Sequence, residues 1–199
     1  VNKNIETCIG VWEALSELSA DRKSVMINLG GGVLTDMGGF IASTFKRGID
    51  FINVPTTLLS MVDASVGGKT GIDLGSLKNQ IGVINQPVMV LVVPDFLDTL
   101  DNRQVRSGFA EMLKHGLIQD TAYWEALKDA ESLEDMKNHI LTSIQIKNKV
   151  VLQDPTEQHI RKILNYGHTL GHAIESYFLE NESKEKGEKG WRVSISFNF

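Results

Sequence analysis

Residues 24–29 (SVMINL) run directly into Gly30-Gly31-Gly32, and residues 33–45 then carry apolar side chains at helical spacing. A short apolar run that ends at glycine is typical of a buried strand, and the periodicity that follows predicts a helix. The stretch therefore predicts a strand, a glycine turn and a helix, which is the repeating unit of a parallel α/β sheet.

The flanking sequence continues this alternation. Residues 5–18 have apolar positions at helical spacing, so a helix is expected before the strand. Residues 51–54 (FINV) predict a second strand that ends at Pro55, and residues 88–93 (VMVLVV) predict a third. Strands that alternate with helices favour a parallel, doubly wound sheet with helices on both faces.

The pattern changes near residue 101. Beyond it the strand signals stop, and four helices are predicted, at 103–118, 122–128, 133–151 and 162–179. We therefore expect an α/β fold in which a parallel-sheet domain over residues 1–101 is followed by an all-helical domain over residues 102–199.

Composition excludes several classes of protein. The chain has 199 residues, of which 42% are hydrophobic and 23% charged, as in an ordinary globular protein. A net charge of −5 argues against a nucleic-acid partner, which usually meets a basic surface. Its single cysteine, Cys8, fits a reducing compartment, so the cytoplasm is expected. No apolar run approaches the ~20 residues of a membrane span, so no membrane partner is expected.

The glycine turn at residues 30–32 is a candidate phosphate site. Backbone N–H groups and the helix dipole attract anions where a strand passes through glycines into a helix. The sequence from Gly30 through Asp36 does not match G-x-G-x-x-G, the usual glycine motif of dinucleotide-binding proteins. A tight connection that binds nothing explains the same glycines equally well.

A second glycine turn precedes Lys69 in Gly67-Gly68-Lys69-Thr70. A P-loop also requires glycine at position 63, where this chain has Asp63, so a nucleotide triphosphatase is excluded. Lys69, with Arg47, Lys78 and Asn79 nearby in sequence, favours an anion site, whereas the alternative is ordinary solvated lysines.

Two motifs in the helical half are candidates for metal chemistry. Glu111 and Lys114, with His115 beside them, share a helix face, which is also typical of a surface ion pair. His168 and His172 are four residues apart, a spacing that suits a transition metal. The zincin motif is excluded because it needs glutamate between them, and a pair of satisfied helix histidines remains the alternative.

Six segments together resemble the 3-dehydroquinate synthases of the sugar phosphate cyclase family in order and spacing. They are GGGVLTDMGGF (30–40), KRGI (46–49), PTTLLSMVDASVGGKTGID (55–73), LKNQIG (77–82), GFAEMLKHGLI (108–118) and LNYGHTLGHAIE (164–175). The resemblance runs from about Lys3 to about Phe178. It implies an internal fragment, which lacks an N-terminal segment of the family and the end of its C-terminal domain.

The resemblance implies that the first domain binds NAD and that the second binds a divalent metal, zinc or cobalt. Its implied NAD contacts are Lys3, Gly31, Gly32, Val33, Asp36, Thr56, Thr57, Leu59, Asp63, Lys78 and Asn79. Its implied metal ligands are Glu111 and His168, with a third histidine from a later His-Gly-Glu sequence that this chain does not contain.

For the substrate, the resemblance implies a pocket for a sugar-acid phosphate. Its implied residues are Lys69, Asn79, Lys114, Lys147, Arg161, Asn165 and His172. Arg47 is expected to reach the phosphate in a neighbouring subunit, since the family forms dimers.

The implied reaction converts 3-deoxy-D-arabino-heptulosonate 7-phosphate into 3-dehydroquinate and phosphate, a lyase step of the shikimate pathway. The chain as given is expected to be inactive if its incompleteness removes the third metal ligand. Three alternatives stay open: another sugar phosphate cyclase, a metal-dependent polyol dehydrogenase of related architecture, and an inactive remnant or binding module.

Overall fold

A computed structural model describes residues 3–75, 77–130 and 132–167. Its first half contains α1 (Ile5–Glu17), β1 (Val25–Gly30), α2 (Gly32–Thr44), β2 (Asp50–Pro55), β3 (Lys69–Leu74), β4 (Leu77–Ile84) and β5 (Met89–Val90). Its second half contains α3 (Asn102–Gln119), α4 (Thr121–Lys128), α5 (Leu133–Asn138) and α6 (Ile140–Gln153). Short turns of other helix types lie at Phe45–Arg47, Ser60–Ala64, Pro94–Thr99 and Ile160–Asn165, the second of them a π-helix.

The three predicted strands form a parallel sheet in the order β1-β2-β5. Ile27 pairs with Ile52, and Ile52 pairs with Met89. The third strand is shorter than predicted, because only Met89 and Val90 are in register with β2. This result confirms the parallel α/β prediction, although the third strand covers two residues and not the six that were predicted.

One face of the sheet is covered by helices. Trp12 of α1 and Ala42 of α2 pack with Phe51 of β2 and Met26 of β1. On β1, Ile27 faces the opposite way and is 64% exposed. The prediction of helices on both faces therefore holds for only one face in the described part of the chain.

An antiparallel hairpin of β3 and β4 was not predicted from the sequence. Gly71 and Gly82 face each other in it, and a Cβ on Gly82 would lie 2.2 Å from the carbonyl oxygen of Thr70. Glycine is thus needed for the two backbones to approach this closely. Ile72 anchors the hairpin against α1 and α2.

The helices of the second half match the prediction, with two differences. The segment expected as one helix over 133–151 is split at His139, whose carbonyl accepts a hydrogen bond from the Tyr123 hydroxyl. Of the helix expected over 162–179, residues 162–165 instead belong to a 3-10 turn at Ile160–Asn165, and the residues beyond 167 lie outside the described part of the chain.

A shared apolar core joins the two halves. Leu58 and Met61, which follow β2, pack with Val105 and Met112 of α3. A Cβ on Gly108 would lie 2.5 Å from the backbone nitrogen of Leu59, so glycine lets α3 approach this segment closely. This core contains residues from both sides of position 101, so packing does not separate two domains there. The boundary near residue 101 therefore stays a prediction. None of the described helices has the length and apolar character needed to cross a membrane.

Candidate active site

A cavity of about 490 Å³ lies between the β3–β4 hairpin, the π-helix, α3, α6 and the segment 154–165. Its lining includes these nine charged or amide side chains: Asp36, Asp63, Lys69, Asn79, Lys114, Lys147, Glu157, Arg161 and Asn165. Eight of these nine were selected from the sequence, and Glu157 was not. The fold thus gathers residues from both halves of the chain around one space.

Lys147 and Asp63 form a largely buried ion pair in the cavity. The Lys147 ammonium donates to both the carboxylate and the backbone carbonyl of Asp63, at 2.5 Å each. Burial alone would raise the pKa of Asp63, but the charges of Lys147 and Lys114 and the Lys147 hydrogen bond outweigh it and hold that pKa well below its usual range. Asp63 is therefore a permanent carboxylate at neutral pH.

A second buried pair links the start of the chain to the cavity. The Lys3 ammonium donates to the Asp36 carboxylate at 2.8 Å and to the Asn79 side-chain oxygen at 2.5 Å. Burial raises the pKa of Asp36, and the charge of Lys3 opposes that shift. Asn79 has a positive φ of 54°, a backbone conformation that asparagine tolerates better than most residues. These contacts place three predicted NAD contacts together.

Glu111, Lys114 and His115 project from α3. Lys114 pairs with the Glu111 carboxylate and also donates to the Leu164 carbonyl at 2.6 Å. His115 is fully buried, and its Nε2 lies 3.4 Å from Glu111 Oε1. Of these buried atoms, His115 Nε2 has no hydrogen-bond partner among the described residues, whereas Glu111 Oε1 is the oxygen that pairs with the Lys114 ammonium. The pair therefore exists, but the alternative of an ordinary surface ion pair does not hold, because Glu111 is only 6% exposed.

Lys69 stands at the open side of the cavity, where it pairs with Glu157 and keeps 53% of its side chain exposed. Partial burial of the Lys69 side chain, together with the positive charges of Arg161 and Lys147, lowers the pKa of Lys69 to about 8. Glu157 also accepts a hydrogen bond from the Asn165 amide at 2.8 Å. A carboxylate of the protein therefore meets Lys69 and Asn165, which were both predicted to bind an anionic substrate.

Arg161 is held by backbone carbonyls. Its guanidinium donates to Pro155 O at 2.6 Å and to Gly67 O at 2.9 Å, and the residue is 3% exposed. Asp154 accepts backbone N–H groups of Gln158, His159 and Arg161. Burial opposes ionisation of Asp154, but these hydrogen bonds lower its pKa. Asp154 thus shapes the loop that presents Glu157 and Arg161.

The remaining predicted residues lie elsewhere. Gly31 and Gly32 follow β1, Thr56 and Thr57 follow β2, and these two strands end side by side at Gly30 and Pro55. Other predicted contacts outside the lining are Val33 and Leu59, which flank these ends, and Lys78, which is exposed on β4. Arg47 is exposed, away from the cavity. His168 and His172 lie outside the described residues.

Three residues of this region were given no role from the sequence: His115, Ser143, whose hydroxyl oxygen lies 2.7 Å from His115 Nδ1, and Glu157. His115 was noticed only as a neighbour of Glu111, although its place four residues later on one helix face was a usable signal. The dipeptide Asp154-Pro155 marks a turn, but it does not reveal that the turn closes over Lys69.

Chemically, the cavity can bind an anion and a cation side by side. Lys69, Lys114 and Lys147 supply positive charge, and Arg161 adds a fourth cation. One carboxylate or imidazole atom from each of Asp63, Glu111 and His115 lies within 4.8 Å of the others, a donor set that suits a divalent transition metal.

Comparison with known proteins identifies the family of this chain. The family model described as 3-dehydroquinate synthase N-terminal matches residues 1–107, and the C-terminal one matches residues 108–186. A 3-dehydroquinate synthase of Parabacteroides distasonis is 47% identical over 180 residues, which are 88% of this chain and 51% of that protein. One from Prochlorococcus marinus is 45% identical over 87% of this chain and 50% of its own length. The chain thus spans about half the length of these curated relatives.

Solved structures give the same picture. A 2-deoxy-scyllo-inosose synthase complexed with carbaglucose-6-phosphate, NAD+ and Co2+ superposes with a TM-score of 0.79 at 31% identity, over 88% of this chain and 49% of that one. The 2-epi-5-epi-valiolone synthase of Streptomyces hygroscopicus, with NAD+ and Zn2+ bound, superposes with a TM-score of 0.77 at 29% identity. The match covers 89% of this chain and 52% of that one. With a family model that matches more than half of its residues, the chain belongs to the 3-dehydroquinate synthase family.

Proposed function

We propose that this chain forms part of a 3-dehydroquinate synthase, an NAD- and metal-dependent lyase that converts 3-deoxy-D-arabino-heptulosonate 7-phosphate into 3-dehydroquinate and phosphate. The observation that carries the proposal is the cavity in which Lys69, Lys114, Lys147 and Arg161 meet Asp63 and Asn79. A substrate with both a carboxylate and a phosphate needs several cations in one pocket, and this cavity provides them.

NAD is proposed to bind where β1 and β2 end. Gly31 is the N-cap of α2, so backbone N–H groups and the positive end of the helix dipole favour the pyrophosphate there. A Cβ on Gly31 would lie 3.2 Å from the Thr57 methyl group, so the two loops already stand close. The buried pair of Lys3 and Asp36 would support the same cofactor from the hairpin side.

Substrate binding is assigned to residues that line the cavity. Lys69 is half exposed, so it is the first cation that an incoming anion would reach. To bind that anion, Lys69 must give up its ion pair with Glu157. Lys147 and Lys114 lie deeper and would stabilise negative charge that develops on substrate oxygens. Asn165 and Arg161 close the side formed by residues 154–165. His172 is proposed to join them.

A divalent metal fits beside Glu111. Glu111 Oε1 is buried and pairs with the Lys114 ammonium, so this oxygen already accepts a positive charge that a metal ion could replace. Glu111 and His168 are the proposed ligands, with zinc or cobalt as the ion. When bound, the ion would supply Lewis acidity to the substrate hydroxyl that NAD oxidises. Lys147 would hold the substrate in place beside it.

Assembly and location are part of the proposal. Arg47 is exposed and lies away from the cavity, which supports a role in a neighbouring subunit of a homodimer. A free buried Cys8 supports the cytoplasm.

Product analysis tests the function and separates its rivals. The 199-residue chain, and a chimera that adds the flanking sequence of the Parabacteroides distasonis relative, are incubated with 3-deoxy-D-arabino-heptulosonate 7-phosphate, NAD and Zn2+. We expect the chimera to release phosphate only when NAD and metal are both present. Net accumulation of NADH would instead indicate a dehydrogenase, and turnover only of sugar phosphates that lack a carboxylate would indicate another cyclase.

Two matched variants complete this test in the chimera. Lys69→Ala should abolish phosphate release, whereas Lys23→Ala, which changes an exposed lysine outside the cavity, should not. A chimera that folds and binds NAD but releases no phosphate would overturn the proposal.

A further inference from the structure

Glu157 places its carboxylate between two residues on the open side of the cavity. One of its oxygens pairs with the Lys69 ammonium, and the other accepts a hydrogen bond from the Asn165 amide at 2.8 Å. Lys69 begins β3, whereas Asn165 ends the turn at Ile160–Asn165, so the two partners come from different halves of the chain. A carboxylate of the protein thus fills the position at which the proposed function places an anionic ligand.

The surroundings of this carboxylate suit an anion that can be exchanged. Arg161 and Lys147 add their positive charges near Lys69. Glu157 keeps 17% of its side chain exposed and Lys69 keeps 53%, so solvent reaches the pair. Because a partly exposed ion pair contributes little free energy, an anion from solution can compete with Glu157 for the same partners.

The backbone of the loop does not itself require glutamate at position 157. Glu157 has a φ of 58°, in the left-handed region that glycine and asparagine adopt most readily. Asp154 stabilises this conformation, because its carbonyl accepts the Glu157 N–H at 3.2 Å and its carboxylate accepts the N–H groups of Gln158 and His159. Residues held in such conformations cluster at active sites and ligand clamps. The carboxylate therefore accounts for the glutamate better than the turn does.

The loop can release this carboxylate without moving as a whole. Arg161, four residues later, donates to the carbonyls of Pro155 and Gly67, so it ties the loop to the segment before β3. The residues on either side of Glu157 are exposed. Rotation about the side-chain bonds of Glu157 is therefore enough to uncover both of its partners, and such rotations take place within nanoseconds.

We propose that Glu157 is an internal competitor of anionic ligands: its carboxylate must leave Lys69 and Asn165 before the phosphate or carboxylate of a ligand can bind there. The inference deepens the proposed function and rests on it for the binding of an anion at these two residues. A site that is open for only part of the time binds more weakly in proportion to that fraction. Glu157 therefore lowers the affinity of every anion that uses this position by one common factor.

Sulfate titration of the 199-residue chain, followed by calorimetry, tests the inference. Glu157→Gln keeps the size of the side chain and an oxygen that can accept from Asn165, but it removes the competing charge. It should strengthen sulfate binding by about two- to fivefold, since a partly exposed ion pair no longer has to be broken. Glu125→Gln is the matched control, because Glu125 pairs with Lys128 on the exposed surface of α4, and it should leave the sulfate affinity unchanged.

A second anion distinguishes occupation of the position from a general effect of charge. Acetate affinity is measured by competition against sulfate. If Glu157 occupies the position, acetate and sulfate should gain the same factor in Glu157→Gln, because both must displace the same carboxylate. If Glu157 acts only through its charge, the doubly charged sulfate should gain about the square of the factor for acetate. That second result would overturn the inference.

The remaining outcomes separate this inference from the proposed function. If the unsubstituted chain binds sulfate and Glu157→Gln binds it equally well or more weakly, only the role of Glu157 is overturned. If neither chain binds sulfate, the anion site of the proposed function is overturned as well. Circular dichroism checks the folding of each variant. Glu157→Ala also lacks the carboxylate and should show the same gain, so it keeps the inference testable if Glu157→Gln does not fold.

Discussion

Lys147 of α6 donates to the carboxylate of Asp63, which lies 84 residues earlier in the chain, at 2.5 Å. The pair joins the helical half to the π-helix that follows β2, and Lys147 is 6% exposed. It therefore positions one wall of the cavity against the other.

Lys147→Met should be strongly destabilising. It leaves the Asp63 carboxylate buried without its partner, and loss of one member of a buried ion pair costs about 3–5 kcal/mol. Chemical denaturation measures this directly. Lys128→Met, which breaks the exposed pair with Glu125, should change the free energy of unfolding by less than about 1 kcal/mol. Adding Asp63→Asn to Lys147→Met should recover part of the loss, and full additivity of the two changes would contradict the pairing.

Lys69 should make anion binding depend on pH. Its pKa is lowered to about 8, so its positive charge is present below that pH and is lost as the pH rises through it. Sulfate keeps a constant charge in this range and is the suitable probe. Its affinity should fall about tenfold between roughly pH 7 and pH 9, as expected for one titrating cation.

The Lys69→Ala variant provides the control for that titration. Its sulfate affinity should be low and independent of pH, and its free energy of unfolding should stay within about 0.5 kcal/mol, because Lys69 is largely exposed. A stability loss of several kcal/mol would place Lys69 in the structural framework rather than in the binding site.

Arg161→Lys should weaken anion binding far more than NAD binding. The guanidinium donates to two carbonyls, Pro155 O and Gly67 O, and an ammonium cannot reproduce that fork. Loss of one buried hydrogen bond also predicts a destabilisation of about 1–3 kcal/mol. Calorimetry with NAD and with sulfate compares the two ligands. Equal losses for both would remove Arg161 from the substrate side of the cavity.

The sequence predicted the elements with strong periodicity. The run SVMINL became β1, and the spacing of Glu111, Lys114 and His115 correctly put them together on α3. The β3–β4 hairpin was missed because glycine, lysine and asparagine interrupt its apolar pattern, and close backbone contact at Gly71 and Gly82 stabilises it instead. Such contacts between backbones leave little signal in hydrophobic spacing.

Within the site, residue types were predictable but their partners were not. Lys147 and Asp63 were each assigned to the site by resemblance, yet nothing in their local sequence indicates that they pair. Glu157 was missed for a similar reason: its role depends on a loop conformation with a φ of 58°, which Asp154 fixes through backbone hydrogen bonds. Long-range contacts of this kind follow from the fold and not from local pattern.

The uncovered face of the parallel sheet leads to a last prediction. Val25, Ile27 and Leu29 of β1 are 51, 64 and 55% exposed, and Met89 of β5 is 53% exposed on the same sheet. Parallel sheets are normally covered on both faces, and a contiguous apolar surface of this kind binds other apolar surfaces. The 199-residue chain should therefore bind the dye ANS and self-associate with increasing concentration.

Ile27→Lys tests whether this face is responsible. Ile27 is in register with Ile52 and, through it, with Met89, so a charge there interrupts the apolar surface at its centre. The variant should lose most of the ANS fluorescence and sediment as a smaller species, without loss of stability, because an exposed side chain contributes little to the core. Leu152→Lys changes a leucine that is 71% exposed on α6 and should alter neither property. If both variants behave alike, self-association does not arise from the sheet face.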